Sequence, residues 1–168
     1  MSTLETTGRA AIKFASLALI AALAVAGCQQ ETPTPVAPSP DAKPGLSLAG
    51  GRLVLPAVKG NPGAAYFELT NGGTGETSLA ALVIAGAGKS EMHETSGGSM
   101  ARLASVALQP GETVRFAPGG KHVMVFDLDP KVTAGSTAEL TLTFGDGDKL
   151  SAPLRVDAAG GMIHGDKR

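Results

Sequence analysis

The stretch Lys121–Leu128, KHVMVFDL, predicts a β-strand that carries chemistry on one side. Successive side chains of a strand point to opposite faces. One face would therefore carry His122, Met124, Phe126 and Leu128. His122 and Met124 would lie about 6.6 Å apart along that face, so an imidazole nitrogen and a thioether sulfur are offered in the same direction. We expect the rest of the chain to bring further atoms of this kind to the same place.

Short alternating segments with glycine-rich turns between them surround this strand. Turn signals such as Asn71-Gly72-Gly73 and Pro118-Gly119-Gly120 separate them. Strands at this spacing, with no helical pattern after the first 27 residues, predict an all-β domain, a Greek-key β-sandwich or barrel. The other predicted strands are Leu48–Leu55, Ala64–Thr70, Ser78–Ala85, Lys89–Thr95, Met100–Leu108, Thr113–Phe116, Ala138–Phe144 and Lys149–Val156.

The beginning of the chain predicts export. Arg9 and Lys13 precede the apolar run Phe14–Ala26, and small residues lead directly to Cys28, which is the pattern of a secretory signal. The small triplet before the cysteine resembles the lipobox of bacterial lipoproteins. That resemblance implies a signal peptide over residues 1–27 and lipidation of Cys28. The alternative is a chance cysteine after a short membrane anchor.

The remaining chain divides into three predicted parts. Residues 28–45 form a lipid-anchored linker rich in proline, residues 46–157 form one β-barrel domain, and residues 158–168 form a flexible tail. A formal net charge of −1 gives no footprint for nucleic acid. Cys28 is the only cysteine, which excludes an intramolecular disulfide and a CxxC redox site. We expect a monomer.

The methionines and histidines of the predicted mature chain cluster in the sequence. Thioethers combined with imidazoles suit Cu(I), whereas zinc sites usually require thiolate or carboxylate ligands or several histidines. A blue-copper site requires a cysteine thiolate, and the only cysteine is assigned to lipid. Neutral thioethers also suit release of the metal better than permanent storage. The clusters are Met92 with His93, Met124 with His122, Met162 with His164, and Met100 after His93.

The spacing of these residues resembles the periplasmic copper chaperone family PCuAC. In that family a histidine and a methionine precede a gap of 21 residues and a His-x-Met motif. Here 21 residues separate Met100 from His122-Val123-Met124. AAYFELTNGG, SEMHE and PGETVRFAPGGKHVM are similar to family segments as well, so the resemblance covers Leu46–Val156. It implies a cupredoxin-like fold.

The resemblance also implies a Cu(I) site built from His93, Met100, His122 and Met124. In this chain six residues separate His93 from Met100, where the family has about ten, and we interpret Glu94–Ser99 as a shortened hairpin loop. Met92 should face the core instead. Met162 and His164 are either an auxiliary copper-ligand pair or an unimportant terminus.

The sequence thus predicts a copper-binding protein with no enzymatic activity. The resemblance implies an extracytoplasmic chaperone that delivers Cu(I) to a cytochrome c oxidase subunit or assembly factor at the CuA centre, or to a related copper site. Its predicted location is the periplasmic side of a bacterial membrane, and Gln29 after the cysteine resembles lipoproteins that are sent to the outer membrane, which that resemblance favours. One alternative is a structural or adhesive lipoprotein with an immunoglobulin-like domain and no metal. Another is a copper enzyme or redox protein, which three histidines disfavour.

Overall fold

The computed structural model describes residues 44–160, and these form ten β-strands with no helix. The all-β prediction is therefore confirmed. The strands are β1 (Leu46–Val54), β2 (Gly63–Asn71), β3 (Thr77–Ile84), β4 (Ala87–Ser96), β5 (Ser99–Arg102), β6 (Val106–Leu108), β7 (Thr113–Phe116), β8 (Lys121–Leu128), β9 (Thr137–Phe144) and β10 (Lys149–Asp157).

All ten strands belong to one sheet with the order β5-β4-β8-β7-β2-β1-β10-β9-β3-β6. β8 also pairs directly with β2. The pairs β1–β10 and β7–β8 are parallel, and the others are antiparallel. β5 and β6 are the two edge strands of this order, so β5 pairs with β4 alone.

One face of every long strand supplies the apolar core. In β2, for example, Ala65, Phe67 and Leu69 are buried while the residues between them are partly exposed. Phe67 stacks on Phe116 of β7 with ring centroids 4.4 Å apart. The alternation of apolar and polar residues that predicts these strands therefore also indicates which face of each strand is buried in the core.

The predicted strand Met100–Leu108 is wrong as a single element. Residues 99–102 form β5, which pairs with β4, whereas residues 106–108 form β6, which pairs with β3 at the opposite edge. The amide of Leu103 donates the last hydrogen bond of the first part to the carbonyl of Met92. The chain then passes from one edge of the sheet to the other edge. The sequence of residues 100–108 gives no sign of this change of pairing partner.

Asn71 ends β2, and its side chain makes three hydrogen bonds to the backbone. Its side-chain amide donates to the carbonyls of Gly75 and Leu108, and its side-chain oxygen accepts from the amide of Gly73. The residue is buried. The Asn-Gly-Gly segment is thus a turn, as predicted, whose first residue also serves as an interior polar anchor.

The alternation of β8 ends at Asp127. This residue has a φ of 52°, in the left-handed region. A side chain on the facing Gly88 would place its Cβ 2.8 Å from the Cβ of Asp127, so glycine is required there. Beyond this point Leu128 packs against the core. The prediction that Leu128 shares the face of Phe126 is therefore wrong, because the backbone turns between them.

Residues 1–43 and 161–168 lie outside the described part of the chain. The predictions for the signal peptide, Cys28, most of the linker, Met162 and His164 fall there. Within residues 44–160, no helix has the length and apolar character needed to span a membrane.

Candidate metal centre

His93 of β4 and His122 of β8 lie directly opposite each other on neighbouring antiparallel strands. Opposed residues of such a pair project from the same face of the sheet. Their ring centroids are 6.1 Å apart, with an angle of 28° between the ring planes. Two imidazoles separated by 28 residues in sequence are thus brought side by side on the outer face, away from the core.

His122 is held in one tautomer by the backbone. The side chain is buried, with 9% of the residue exposed, and its Nδ1 lies 2.9 Å from the carbonyl oxygen of Gly120. A carbonyl only accepts hydrogen bonds, so Nδ1 carries the hydrogen and donates it. In the neutral ring Nε2 then carries the lone pair, which is the arrangement that a metal-binding histidine needs.

His93 has no hydrogen-bond partner for either ring nitrogen, although both atoms are buried. Its Nε2 lies 3.5 Å from Oε2 of Glu91, too far for a well-formed hydrogen bond. A buried polar atom without a partner costs about 1–3 kcal/mol. A metal ion beside His122 would give His93 the partner that it lacks.

Met124 shares the face of the two histidines. It follows His122 by two residues on β8, and it lies opposite Glu91 on one side and Ala64 of β2 on the other. The side chain is partly buried. Met124 is thus a diagonal neighbour of His93, at a Cα separation of roughly 7–8 Å that a long side chain bridges.

Met100 approaches His93 from the other side. It lies on the edge strand β5 opposite Thr95, two residues from His93 on β4. The β4–β5 hairpin closes at Gly97 and Gly98, whose φ angles of 58° and 82° fit a two-residue turn. Met100 is 55% exposed. The structure therefore brings His93, His122 and Met124 together and leaves Met100 on the margin, one diagonal from His93.

Glu91 is the neighbour that the sequence interpretation missed. Its carboxylate forms ion pairs with Lys89 at 2.9 Å and with Arg102 of β5 at 3.2 Å, beside His93. The hydrogen bond from Lys89 is the largest cause that holds the pKa of Glu91 below its ordinary value, and partial burial acts in the opposite direction. The signal was present, because residues 91 and 93 of a strand share a face.

The thioether that precedes His93 in sequence lies on the other side of the sheet. Met92 is 4% exposed and belongs to the core, as predicted. Within residues 44–160, no group of three or more His, Cys, Asp and Glu side chains is arranged to hold a metal ion. The two histidines are therefore accompanied by thioethers rather than by a ready set of oxygen or thiolate ligands.

A family profile described as "Putative lipoprotein LpqE-like" matches residues 46–156, which is the whole sheet apart from its last residue. The chain belongs to the LpqE-like family. One relative, "Putative lipoprotein Lxx21020" from Leifsonia xyli subsp. xyli, is 27% identical over 137 residues and covers 66% of this chain and 81% of that protein.

Solved structures with the same fold include PCuAC domains. The copper-bound PCuAC domain of PmoF2 is 23% identical with a TM-score of 0.59, covering 68% of this chain and 93% of that chain. The apo form of that domain is 24% identical with a TM-score of 0.61, covering 70% and 94%. The CuI-DR1885 solution structure from Deinococcus radiodurans is 24% identical with a TM-score of 0.56, covering 69% and 80%. The fold implied by the PCuAC resemblance is therefore confirmed.

Proposed function

We propose that this LpqE-like protein binds Cu(I) as cargo and passes it to another copper protein outside the cytoplasm. The ligands would be His93, His122 and Met124 on one face, with Met100 joining from the edge strand. The observation that carries the proposal is the cross-strand histidine pair. In one ring Nδ1 is held by the backbone and Nε2 is available to bind, and the other ring has two buried nitrogens without a hydrogen-bond partner.

The chemistry of the neighbouring atoms favours a soft, monovalent metal. Imidazole and thioether ligands suit Cu(I), whereas divalent zinc usually takes thiolate or carboxylate ligands or additional histidines. The carboxylate nearest to the histidines, Glu91, already forms ion pairs with Lys89 and Arg102. Neutral ligands also leave the bound ion without a large compensating negative charge, which favours handing the ion on.

The position of the site fits transfer rather than burial for storage. His122 is fixed from within the sheet, while Met100 stands exposed on a strand that has only one neighbour. An incoming ligand from an acceptor would replace the exposed thioether first and the buried imidazole last. Ligand exchange of this kind breaks one metal–ligand bond as it forms another and leaves the oxidation state of the ion unchanged, so the protein acts by binding and transfer and not as an enzyme.

The recipient in this proposal is the CuA centre of a respiratory oxidase, or a related copper site, reached through an oxidase subunit or assembly factor, and the similarity to a copper-bound PCuAC domain and to CuI-DR1885 supports copper as the cargo. Membership of a lipoprotein family supports lipidation of Cys28 after removal of residues 1–27. Residues 28–45 would tether the domain of residues 46–157 to the periplasmic side of a membrane, the outer one being favoured. Met162 and His164, in the tail of residues 158–168, would serve as an auxiliary ligand pair.

Titration of the apo-protein with Cu(I) against a colorimetric chelator tests the proposal. The His122→Ala, Met124→Ala double variant should bind Cu(I) at least about 100-fold more weakly than wild type, because two ligands are lost. Met92→Leu is the matched control, since it removes a thioether next to His93 that faces the core. Equal affinity in the double variant and the wild type would reject the proposal.

A further inference from the structure

Five side chains form a partly exposed surface beside the candidate metal centre. We call this surface the outer patch, and it consists of Val54, Ala64, Tyr66, Met124 and Phe126. Ala64 is its centre, because it lies opposite Met124 on one neighbouring strand and opposite Val54 on the other.

The outer patch faces away from the core. The residues that alternate with its members are buried, and the strongest cases are Leu53, Ala65, Val123 and Val125, all with no exposed surface. The members of the outer patch are themselves partly exposed. An apolar surface therefore runs outward from Met124, across three strands, on the same side as the candidate ligands.

Basic side chains border the outer patch. The guanidinium of Arg52 lies 5.0 Å from the ring centre of Tyr66, and the ammonium of Lys89 lies 5.5 Å from that of Phe126. Arg102 lies opposite His93, and Arg155 lies opposite Arg52 on β10. We call these four residues the basic rim.

The four cations of the basic rim form ion pairs with fewer carboxylates than their own number. Glu91 pairs with Lys89 and Arg102, and Asp157 pairs with Arg155 at 3.1 Å. Within residues 44–160, no carboxylate forms an ion pair with Arg52. Four cations thus share two carboxylates, on a chain whose formal net charge is −1. Of the directly opposed pair, Arg155 already has Asp157 as its partner, and Arg52 is the side chain that an approaching anion would pair with.

We propose that the outer patch and the basic rim form the docking surface for the copper acceptor, an acidic protein whose apolar contact is bordered by carboxylates. This inference rests on the proposed function. An acceptor must bring its own ligand to the metal, and an approach to Met124 covers the patch to which Met124 belongs. An apolar centre with a charged border is the usual anatomy of a protein interface, and complementary charge accelerates encounter.

The surface fits a protein acceptor better than an anionic membrane. A lipid surface attracts each basic side chain by only about 1 kcal/mol, and the excess here is two charges. Lipid lying on the outer patch would also cover Met124 and block exchange of the metal. The carboxylates of an acidic protein can pair with the basic rim while a ligand of that protein contacts the metal.

Copper transfer from the full chain to two synthetic peptides tests the inference. Both peptides carry the same Met-Xaa-Xaa-Met motif and one tryptophan, and they are flanked either by aspartates or by lysines. Because the chain contains no tryptophan, quenching of the peptide fluorescence reports arrival of Cu(I). The Cu(I) affinity of each peptide is measured separately, so that rates are compared at a known driving force.

The acidic peptide should receive copper faster than the basic one at low salt, and the difference should vanish at high salt. Arg52→Gln should slow transfer to the acidic peptide about threefold while leaving Cu(I) affinity unchanged. Lys149→Gln is the matched control. It removes one exposed charge at the other end of β10 from Arg155 and should leave the rate at the wild-type value.

Two outcomes would overturn the inference and leave the proposed function intact. One is equal transfer to both peptides by a wild-type chain that binds Cu(I) normally. The other is an equal rate of transfer to the acidic peptide from wild type and Arg52→Gln, together with stronger binding of wild type than of Arg52→Gln to phosphatidylglycerol vesicles, which would assign the surface to a membrane. Failure of the wild-type chain to bind Cu(I) at all would instead reject the proposed function.

Discussion

Met92 and His93 are consecutive in the chain, yet they serve opposite sides of the sheet. Met92 packs in the core opposite Val123, whereas His93 faces outward opposite His122. β4 therefore contributes one residue to the core and the next residue to the candidate metal centre. Substitutions at the two positions should have separable effects.

Met92→Ala should destabilise the protein and leave the site intact. Loss of a buried methionine side chain lowers the free energy of unfolding by about 2–4 kcal/mol, while the outward face of β4 keeps its ligands. Urea unfolding of the apo-protein and Cu(I) competition titration below the unfolding transition measure the two effects. A large loss of Cu(I) affinity in the folded variant would contradict the assignment of Met92 to the core alone.

His93→Leu should abolish high-affinity Cu(I) binding and leave the apo-protein at least as stable as wild type. The two ring nitrogens of His93 are buried without a hydrogen-bond partner, so an apolar side chain relieves a cost, and we expect a gain of about 1 kcal/mol. Urea unfolding of both apo-proteins measures it. A clear loss of stability would show that the histidine is satisfied in solution.

His122→Asn should keep the fold and lose the metal. The asparagine amide replaces Nδ1 as donor to the carbonyl of Gly120, but it has no counterpart of Nε2. We expect near wild-type unfolding of the apo-protein and Cu(I) affinity reduced at least about 100-fold. His122→Ala is the comparison, because it loses the hydrogen bond as well and should unfold more easily.

Soft monovalent ions should stabilise the protein, and Zn²⁺ should not. An ion present at 100 times its dissociation constant raises the free energy of unfolding by about 2.7 kcal/mol. Cu(I) and Ag(I) should both raise the melting temperature of wild type and leave that of His93→Leu unchanged, because both ions prefer thioether and imidazole ligands. An equal shift with Zn²⁺ would indicate oxygen ligands, and Glu91 would then be the first residue to substitute.

Asn71→Ala should destabilise the fold far from the metal. Its side chain makes three hydrogen bonds to the backbone at a buried position, and their loss leaves buried groups unpaired at a cost of about 2–4 kcal/mol. Urea unfolding measures the loss, and Cu(I) affinity of the folded fraction should equal that of wild type. Asn71→Asp keeps the acceptor for Gly73 but loses both donors, so its loss of stability should reach at most that of Asn71→Ala.

The sequence predicts the strands well wherever one face is buried and the other is exposed. The bounds of β7 and β8 agree with the predicted ones, and the opposite orientation of Met92 and His93 follows from the period of two. The same alternation places His122 and Met124 on one face. These features depend only on local geometry and on which side of a strand is covered.

Features that depend on contacts between distant strands could not be predicted in this way. Residues 99–102 and 106–108 look continuous in sequence, but they pair at opposite edges of the sheet. Leu128 changes face because Asp127 takes a left-handed conformation opposite Gly88. The direct opposition of His93 and His122 requires the register of β4 against β8, which no single segment contains.

The turn at Gly97 and Gly98 is already as short as a regular hairpin allows. Any change in its length must therefore be an insertion, and an insertion at the tip would carry Met100 outward or inward without disturbing the core strands. The distance between the Met100 sulfur and the histidines can thus change while the core strands stay as they are. Related chains could change their affinity for the ion by varying only the length of the β4–β5 hairpin.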